Sequence, residues 1–420
     1  MLSDKISGNF CNVKMTYSPT KIRRFANHKY LKSMTNSSSK KLIRITTIPM
    51  ALHVLLPGQM KFMSENGFEV IMISADGENL DKVIKNEKCR HIIVPMTRKI
   101  TPWCDLKCLF QLIKIFRKEK PDIVHSHTPK AGLLGMLAAR ISGIKIRIHT
   151  VAGLPLMEES GVKYALLKQI EKVTYSVANH VWPNSNSLYN FIKETNLVGG
   201  SKLKVIGKGS TNGVSSRRFN KDSLDKNFLE IIKEKIDYNP ASINLLCIGR
   251  LVKHKGIIEL VNVFSLLKKR YPHLKLILVG VFESSLDPLP EKILKQIVDD
   301  PSIINVGWSD KAEYYMSLAD YFVFPSYREG FPNVLLEAGS IRLPIICTNI
   351  PGNTDIISHN ETGLLFEKKN EKDMYQKLKY ALDNPEQMLS MANKLQGYIK
   401  TCYEREVYWK ILLEEYNKLI

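Results

Sequence analysis

From residue 41 onward the chain alternates short apolar runs with helix-length segments, and after one interruption it starts the same alternation again. Strands separated by helices cannot be hairpin partners. They pair in parallel, and right-handed crossovers place helices on both faces of the sheet. In the first half the runs Leu42–Ile48, Phe68–Ile73, His91–Val94, Asp122–His125 and Lys145–His149 read as strands, with helices over Pro57–Asn66, Asp105–Glu119 and Lys130–Ser142. A basic, Gly- and Ser-rich break follows at Gly207–Ser216. In the second half Ile243–Ile248, Leu274–Val279, Ile303–Val306, Tyr321–Phe324 and Pro344–Cys347 read as strands, and Gly256–Lys269, Asn333–Ser340 and Glu371–Asn384 as helices. The expected fold class is α/β, with two doubly wound domains over residues 41–212 and 213–400. A C-terminal helix in 401–420, around Tyr403–Leu419, is expected to pack back on the first domain. Two such units facing each other make an interdomain cleft, and ligands bind at the carboxyl ends of the strands.

The 420 residues suffice for two cores. A net charge of +20 implies attraction to polyanions, whether nucleic acid, anionic lipid or phosphorylated substrates, and does not choose among them. The seven cysteines are scattered, and Cys104 and Cys108 stand four apart, the wrong spacing for a CxxC pair, so reduced thiols are expected. The N-terminus is polar and basic without a signal-like apolar stretch, and no run approaches the roughly 18 apolar residues of a membrane span. A cytoplasmic protein is expected, with peripheral attachment at the inner face of the plasma membrane as the alternative. Residues 1–40, with Asn36-Ser37-Ser38-Ser39 and many Lys and Arg, read as a disordered basic extension, and Met34 offers an alternative start.

Three segments carry chemistry. Pro325-Ser326-Tyr327-Arg328-Glu329-Gly330-Phe331-Pro332-Asn333-Val334-Leu335-Leu336-Glu337 follows a strand and opens a helix. With Asn333 as N-cap, the free amides would form an anion site. Eight helical residues rise about 12 Å, too far for Glu329 and Glu337 to flank one bond as glycosidase carboxyls do at about 5–9.5 Å. Two ends of an elongated ligand, a sugar and a ribose, suit them better. The bland reading is a loop glutamate plus a helix-surface one. Gly249-Arg250-Leu251-Val252-Lys253-His254-Lys255-Gly256 also follows a strand. Arg250 brings a planar fork and Lys255 a point charge, both suited to a diphosphate, against the bland reading of a solvated basic turn. The third segment, Asp122-Ile123-Val124-His125-Ser126-His127-Thr128-Pro129-Lys130-Ala131-Gly132, ends a strand. His127 is expected to face the cleft and His125 the core. No carboxylate or Cys follows closely, so the pair is not read as a metal site.

Together these segments resemble the family 4 retaining glycosyltransferases of the GT-B fold, two facing Rossmann-like domains, especially those that build bacterial capsule and related surface polysaccharides. Gly209–Val214 and Pro351-Gly352-Asn353 before Gly363-Leu364 add to the resemblance, which spans about residues 41–400. It implies that Arg250 and Lys255 bind the donor diphosphate, beside Gly249. It implies that Glu329 contacts the transferred sugar and that the backbone of Gly330, Phe331, Pro332, Asn333 and Val334 cradles sugar and phosphate. Glu337 would hold the ribose, Val306, Gly307 and Trp308 would meet the base, and His127 would sit by the reacting centre. The implied donor is a nucleotide sugar, UDP-linked by preference, and the implied acceptor an undecaprenyl-diphosphate-linked glycan. No metal or other cofactor is expected. One departure stands out: the loop Thr47-Ile48-Pro49-Met50-Ala51-Leu52-His53-Val54 lacks the glycine that family members often carry there, which puts close backbone approach to the diphosphate in question.

The stretch Trp103–Lys118 sets Trp103, Leu106, Phe110, Ile113 and Phe116 among Lys107, Lys114, Arg117 and Lys118. It reads either as a basic amphipathic helix for an anionic membrane or as an ordinary core helix. Three other functions share parts of the pattern. A nucleotide-sugar epimerase has a similar architecture but needs acid–base residues that cannot be placed, and a glycogen-type phosphorylase needs a longer chain. A nucleic-acid-binding protein would account for the charge, but no helix-turn-helix, RRM or finger signature is present, and no nucleic-acid partner is expected.

Overall fold

The computed structural model describes residues 40–283 and 287–420. The basic extension and the alternative start at Met34 lie outside the described residues. The first sheet holds β1 (Lys40–Ile45), β2 (Phe68–Ser74), β3 (Arg90–Ile93), β4 (Ile123–His127), β5 (Ile146–Val151) and β6 (His180–Pro183), in the order β3-β2-β1-β4-β5-β6. The second holds β7 (Ile243–Ile248), β8 (Leu274–Val279), β9 (Ile303–Gly307), β10 (Tyr321–Phe324), β11 (Ile345–Thr348) and β12 (Leu364–Phe366), in the order β12-β11-β10-β7-β8-β9. Every pairing is parallel. Each sheet starts in the middle, winds to one edge and then to the other, as the alternating pattern requires. The direction reverses between β1 and β4 and between β7 and β10, and the loops there open a crevice.

Helices cover both faces, so the central strands are apolar on both sides. β7 (INLLCI) and β8 (LKLILV) are buried almost throughout. The helix Ile257–Lys268 buries Ile257, Leu260, Val261, Phe264 and Leu267 against them. At about 1.5–3 kcal/mol for each large apolar side chain removed from water, such layers supply most of the folding drive.

Strands β6 and β12 were not anticipated from the sequence, nor were several helices, the 17-residue Gly161–Val177 among them. The chain crosses between the sheets twice at one place. Val214 N–H donates to Tyr403 O (2.8 Å), and Arg405 N–H donates to Val214 O (2.9 Å). Past this crossing the helix Arg405–Leu419 lies on the first sheet, where Tyr408, Leu412 and Tyr416 share a core with Leu42, Leu52, Met60 and Ile148.

The same helix completes a buried polar cluster. Arg44 of β1 is 1% exposed. Its guanidinium donates to His125 Nδ1 (3.0 Å), to the Tyr416 hydroxyl and to Gln59 Oε1. His125 is therefore a core residue held by hydrogen bonds, and its Nε2 reaches Thr150 Oγ1 at 2.7 Å. Burial and the Arg44 charge hold its pKa well below the ordinary value, so the ring is neutral.

Candidate active site

A cavity of about 530 Å³ lies between the carboxyl ends of the two sheets. The first sheet contributes Thr128 after β4, His149 to Gly153 along and after β5, and Glu171 from the helix Gly161–Val177. The second contributes Arg250, His254 and Lys255 after β7, and Tyr327 to Gly330 after β10. Lys368 follows β12.

The loop after β7 is folded tightly onto the loop after β10. Gly256 has φ +69°, and a Cβ there would lie 2.8 Å from the Pro325 carbonyl carbon, so only glycine lets the two loops meet. Tyr327 N–H donates to His254 O at 2.9 Å and fastens the contact. This brings Lys255 to Glu329, to which its ammonium donates, with both side chains largely buried. Arg250 donates to Glu283 and lies 3.3 Å from His254 Nε2. His254 Nδ1–H donates to Asp287 at 2.7 Å, which leaves Nε2 as the acceptor from Arg250. Burial is the chief force lowering the His254 pKa; the nearby Arg328, Arg250 and Lys255 charges add to it and Asp287 opposes it. The ring is a neutral spacer that aims the guanidinium. Carboxylates thus hold two permanent cations on one wall, ready to be taken over by a stronger anion.

Of the residues expected in the site, Arg250, Lys255, Glu329 and Gly330 meet on this wall. Several others do not. His127 was expected to face the cleft, but β4 stays extended through it, so its ring shares a face with His125 and stacks on it at 4.4 Å. His127 is 1% exposed, and neither ring nitrogen has a partner. The turn into the cavity comes one residue later, at Thr128, whose φ is +76°. Asn333 was expected as N-cap; instead the helix begins at Asn333 itself, after Pro332, and its Oδ1 is buried without a partner. Phe331 and Pro332 are buried, and Phe331 packs on Tyr403 (ring centroids 5.6 Å). Gly249 ends β7 just short of the cavity, while Val306, Gly307 and the exposed Trp308 end β9, also off its wall. Val334 and Glu337 lie on the helix Asn333–Ser340. Burial raises the Glu337 pKa to about 7, against the pull of Arg218 and Arg405. In the glycine-poor loop after β1, Thr47 N–H donates to Thr128 Oγ1 at 3.2 Å, which ties that loop to the end of β4.

The residues missed are instructive. His254, Tyr327 and Arg328 sat inside segments already singled out, and their place at strand ends was the available signal. Thr150 lies one residue beyond the predicted end of β5. Glu171 carried no signal, because its helix was not anticipated.

Across the cavity mouth Gly330 touches the first sheet's wall: a Cβ on it would overlap the Ala152 carbonyl oxygen and lie 3.0 Å from Gly153 Cα. The two walls meet at a backbone contact beside Glu329.

Two doubly wound sheets with a cationic cleft between them are the architecture of the glycosyltransferase family that the chain matches. The chain belongs to that family: residues 44–185 match the model described as glycosyl transferase 4-like, and residues 229–397 the model described as glycosyl transferases group 1. It is 33% identical to the capsular polysaccharide biosynthesis glycosyltransferase CapM of Staphylococcus aureus over 91% of this chain and 98% of that protein. It is 26% identical to the UDP-Gal:alpha-D-GlcNAc-diphosphoundecaprenol alpha-1,3-galactosyltransferase of Escherichia coli, over 80% of this chain and 86% of that protein. Among solved structures, Anabaena HepE in complex with UDP superposes with a TM-score of 0.73 at 13% identity, over 90% of this chain and 100% of that one, which establishes the shared GT-B fold.

Proposed function

We propose that this chain is a retaining, metal-independent hexosyltransferase that moves a sugar from a UDP-sugar onto an undecaprenyl-diphosphate-linked glycan in surface polysaccharide synthesis. The observation that carries the reading is the pair of cations on one wall of the cavity, Lys255 held by Glu329 and Arg250 held by Glu283. The capsular role of the S. aureus relative supports it, as do the donor and acceptor named for the E. coli relative and the UDP held by HepE.

A diphosphate entering the cleft would take Lys255 and Arg250 from Glu329 and Glu283. Glu329 is then free to accept hydroxyls of the transferred sugar. As the bond from the anomeric carbon to the phosphate oxygen breaks, negative charge grows on that oxygen. The two cations stabilise it, which is the charge a divalent metal would otherwise supply. The acceptor hydroxyl attacks from the same face. Its proton passes to the departing phosphate oxygen, and the configuration is kept. Glu337 as ribose ligand and His127 as a donor near the reacting centre remain part of the reading only if the walls shift to admit them.

A lipid-linked acceptor implies work at a membrane. The helix Pro102–Glu119 divides its apolar residues: Leu112, Ile113 and Phe116 are core, whereas Trp103 is 81% and Phe110 57% exposed, with Leu106 also outside and the exposed Ile100 just before the helix. Lys107, Lys114 and Arg117 are exposed on the same helix. Aromatic side chains among cations suit an anionic lipid surface. Among the described residues no helix is long and apolar enough to cross a membrane.

The test is product analysis with a panel of UDP-sugars and polyprenyl-diphosphate-linked N-acetylhexosamine, with and without a chelator. The expected product is an α-linked disaccharide formed equally in both. An inverted linkage, an epimerised donor, or activity restored only by added metal contradicts the reading.

A further inference from the structure

The cations of the cavity all come from the second sheet. The facing wall combines the apolar Val151, Leu154 and Met157 with Thr128, His149, Thr150, the backbone of Ala152 and Gly153, and one ionisable acid, Glu171. Glu171 is 6% exposed, yet it makes no ion pair among the described residues. The one polar side chain that reaches it is the Tyr175 hydroxyl, four residues along the same helix. A buried carboxyl without a cation is costly for a fold, and a structural role would be served as well by glutamine or leucine. The polar side chains that share the wall with it are hydroxyl and imidazole groups. Thr150 Oγ1 is engaged by His125 Nε2 at 2.7 Å. His125 Nδ1 faces the Arg44 guanidinium and so accepts, which makes Nε2 the protonated nitrogen and Thr150 Oγ1 its acceptor. The Thr150 hydroxyl proton is then left to point elsewhere. His149 Nδ1 is taken by Ser126 Oγ at 2.9 Å, and Nε2 makes no hydrogen bond. Polar groups that can each donate or accept one hydrogen bond, set around an uncompensated acid, make a surface suited to a neutral polyol.

We propose that Glu171 is the residue that binds the acceptor sugar, taking a hydrogen bond from one of its hydroxyls in a subsite shared with Thr150. The inference rests on the reading of the cavity as a glycosyl-transfer site. It adds which side chain of the first sheet's wall recognises the acceptor. A carboxylate–hydroxyl bond in a site closed to water is of the charge-assisted kind, worth about 1.5–3 kcal/mol, so its loss corresponds to about 10- to 100-fold in affinity.

The ionisation of Glu171 supplies an independent readout. Burial raises its pKa to about 7, and the Tyr175 hydroxyl pulls slightly the other way. Its carboxylate form, the acceptor of the hydrogen bond, gains population as pH rises through 7. From pH 6 to the plateau the change is about tenfold. The titratable groups around it are Tyr175 on its own helix and His149 on β5. Arg250, Lys255, Arg328, Lys368, His254 and Glu329 lie across the cavity. His149 titrates at about 4, and His254 lies below its ordinary value. Glu337 also titrates near 7, but it lies off the cavity wall on the donor-side helix and would act on UDP binding instead.

The experiment uses the full chain, a UDP-sugar that the wild type turns over, and polyprenyl-diphosphate-linked N-acetylhexosamine as acceptor. It compares wild type, Glu171→Gln, Glu171→Asp and Thr150→Val from pH 5.5 to 9, with UDP affinity measured separately by calorimetry. Glu171→Gln is expected to bind UDP within twofold of wild type, raise the acceptor KM at least tenfold and flatten the rise of kcat/KM for acceptor near pH 7. Glu171→Asp is expected to keep that rise at reduced affinity, and Thr150→Val to raise acceptor KM severalfold with the rise intact. Unchanged acceptor KM and an unchanged pH profile in Glu171→Gln, with UDP still bound, overturn the proposal and leave the donor reading standing. A wild-type chain that binds no UDP overturns both.

Discussion

The contact between Gly330 and the Ala152–Gly153 backbone makes a direct prediction about rate. Gly330 sits next to Glu329 on the second sheet's wall, and its partner atoms belong to the loop after β5 on the first. In Gly330→Ala the new methyl would lie 2.9 Å from the Ala152 carbonyl carbon and overlap its oxygen, where ordinary contact begins at 3.4 Å. Both obstacles are backbone, so no side chain can swing aside. Gly330 is not in the left-handed region, so alanine adopts its backbone without strain. The second sheet and its core therefore fold as before, and the walls must part by about 1 Å at the mouth of the cavity. A misplacement of about that size in a two-substrate site costs about 10²-fold in turnover. The assay is UDP release during transfer, with thermal unfolding as the control for folding. Expected is a kcat lowered by about two orders of magnitude, UDP affinity changed by less than about threefold because Arg250 and Lys255 stay in place, and an unfolding midpoint within about 2 °C of wild type. A variant with full turnover would refute the claim that the two walls work in this contact.

Four further outcomes follow from the geometry. Lys255→Ala and Arg250→Ala should each lower kcat by about 10²–10³, the cost of removing one preorganised electrostatic donor; transfer within tenfold of wild type would count against their role. Because burial raises the folded-state pKa of Glu337 from 4.5 to about 7, the folded chain holds that proton more tightly than the unfolded one. Its contribution to stability is full below pH 4.5 and is lost as pH rises to about 7. Glu337→Gln should remove that loss and show a flatter unfolding midpoint over the window. Trp103→Ser with Phe110→Ser should reduce sedimentation with phosphatidylglycerol vesicles at low salt by at least tenfold without changing the unfolding midpoint; unaltered sedimentation would argue for a different membrane face. Arg44→Ala should destabilise the chain by at least ~2 kcal/mol in urea titration, since it strands His125, Gln59 and the Tyr416 hydroxyl in a buried setting.

The parts of this fold that sequence reasoning reached share a physical character. β7, β8 and β10 are apolar nearly throughout because parallel strands here are covered on both faces. The helix Asn333–Ser340 follows a proline, which marks its start. The helix Gly161–Val177 gave no such pattern: Val162, Leu166 and Val173 are exposed while Glu171 and Thr174 are buried, so its periodicity runs against its burial. That inversion is why Glu171 could not be found by pattern. The site was legible where chemistry and position coincide within one segment, as with Arg250, Lys255 and Glu329. It was not legible where the fold joins residues far apart in the chain. His127 turned inward because β4 runs two residues beyond its expected end at His125. Arg44, a charge inside a strand, is explained by partners on other elements, His125, Gln59 and Tyr416, the last 372 residues away. The exposed stripe of Trp103, Leu106 and Phe110 was readable as a stripe, but only packing separated it from Ile113 and Phe116 on the same helix.

The most direct measurement is a crystal structure of the chain with UDP bound. The account predicts the β-phosphate within hydrogen-bond distance of Lys255 Nζ and the Arg250 guanidinium, with Glu329 released from Lys255 and turned toward the space a sugar would fill. UDP bound elsewhere, or in the cavity with both cations still on Glu329 and Glu283, would contradict it.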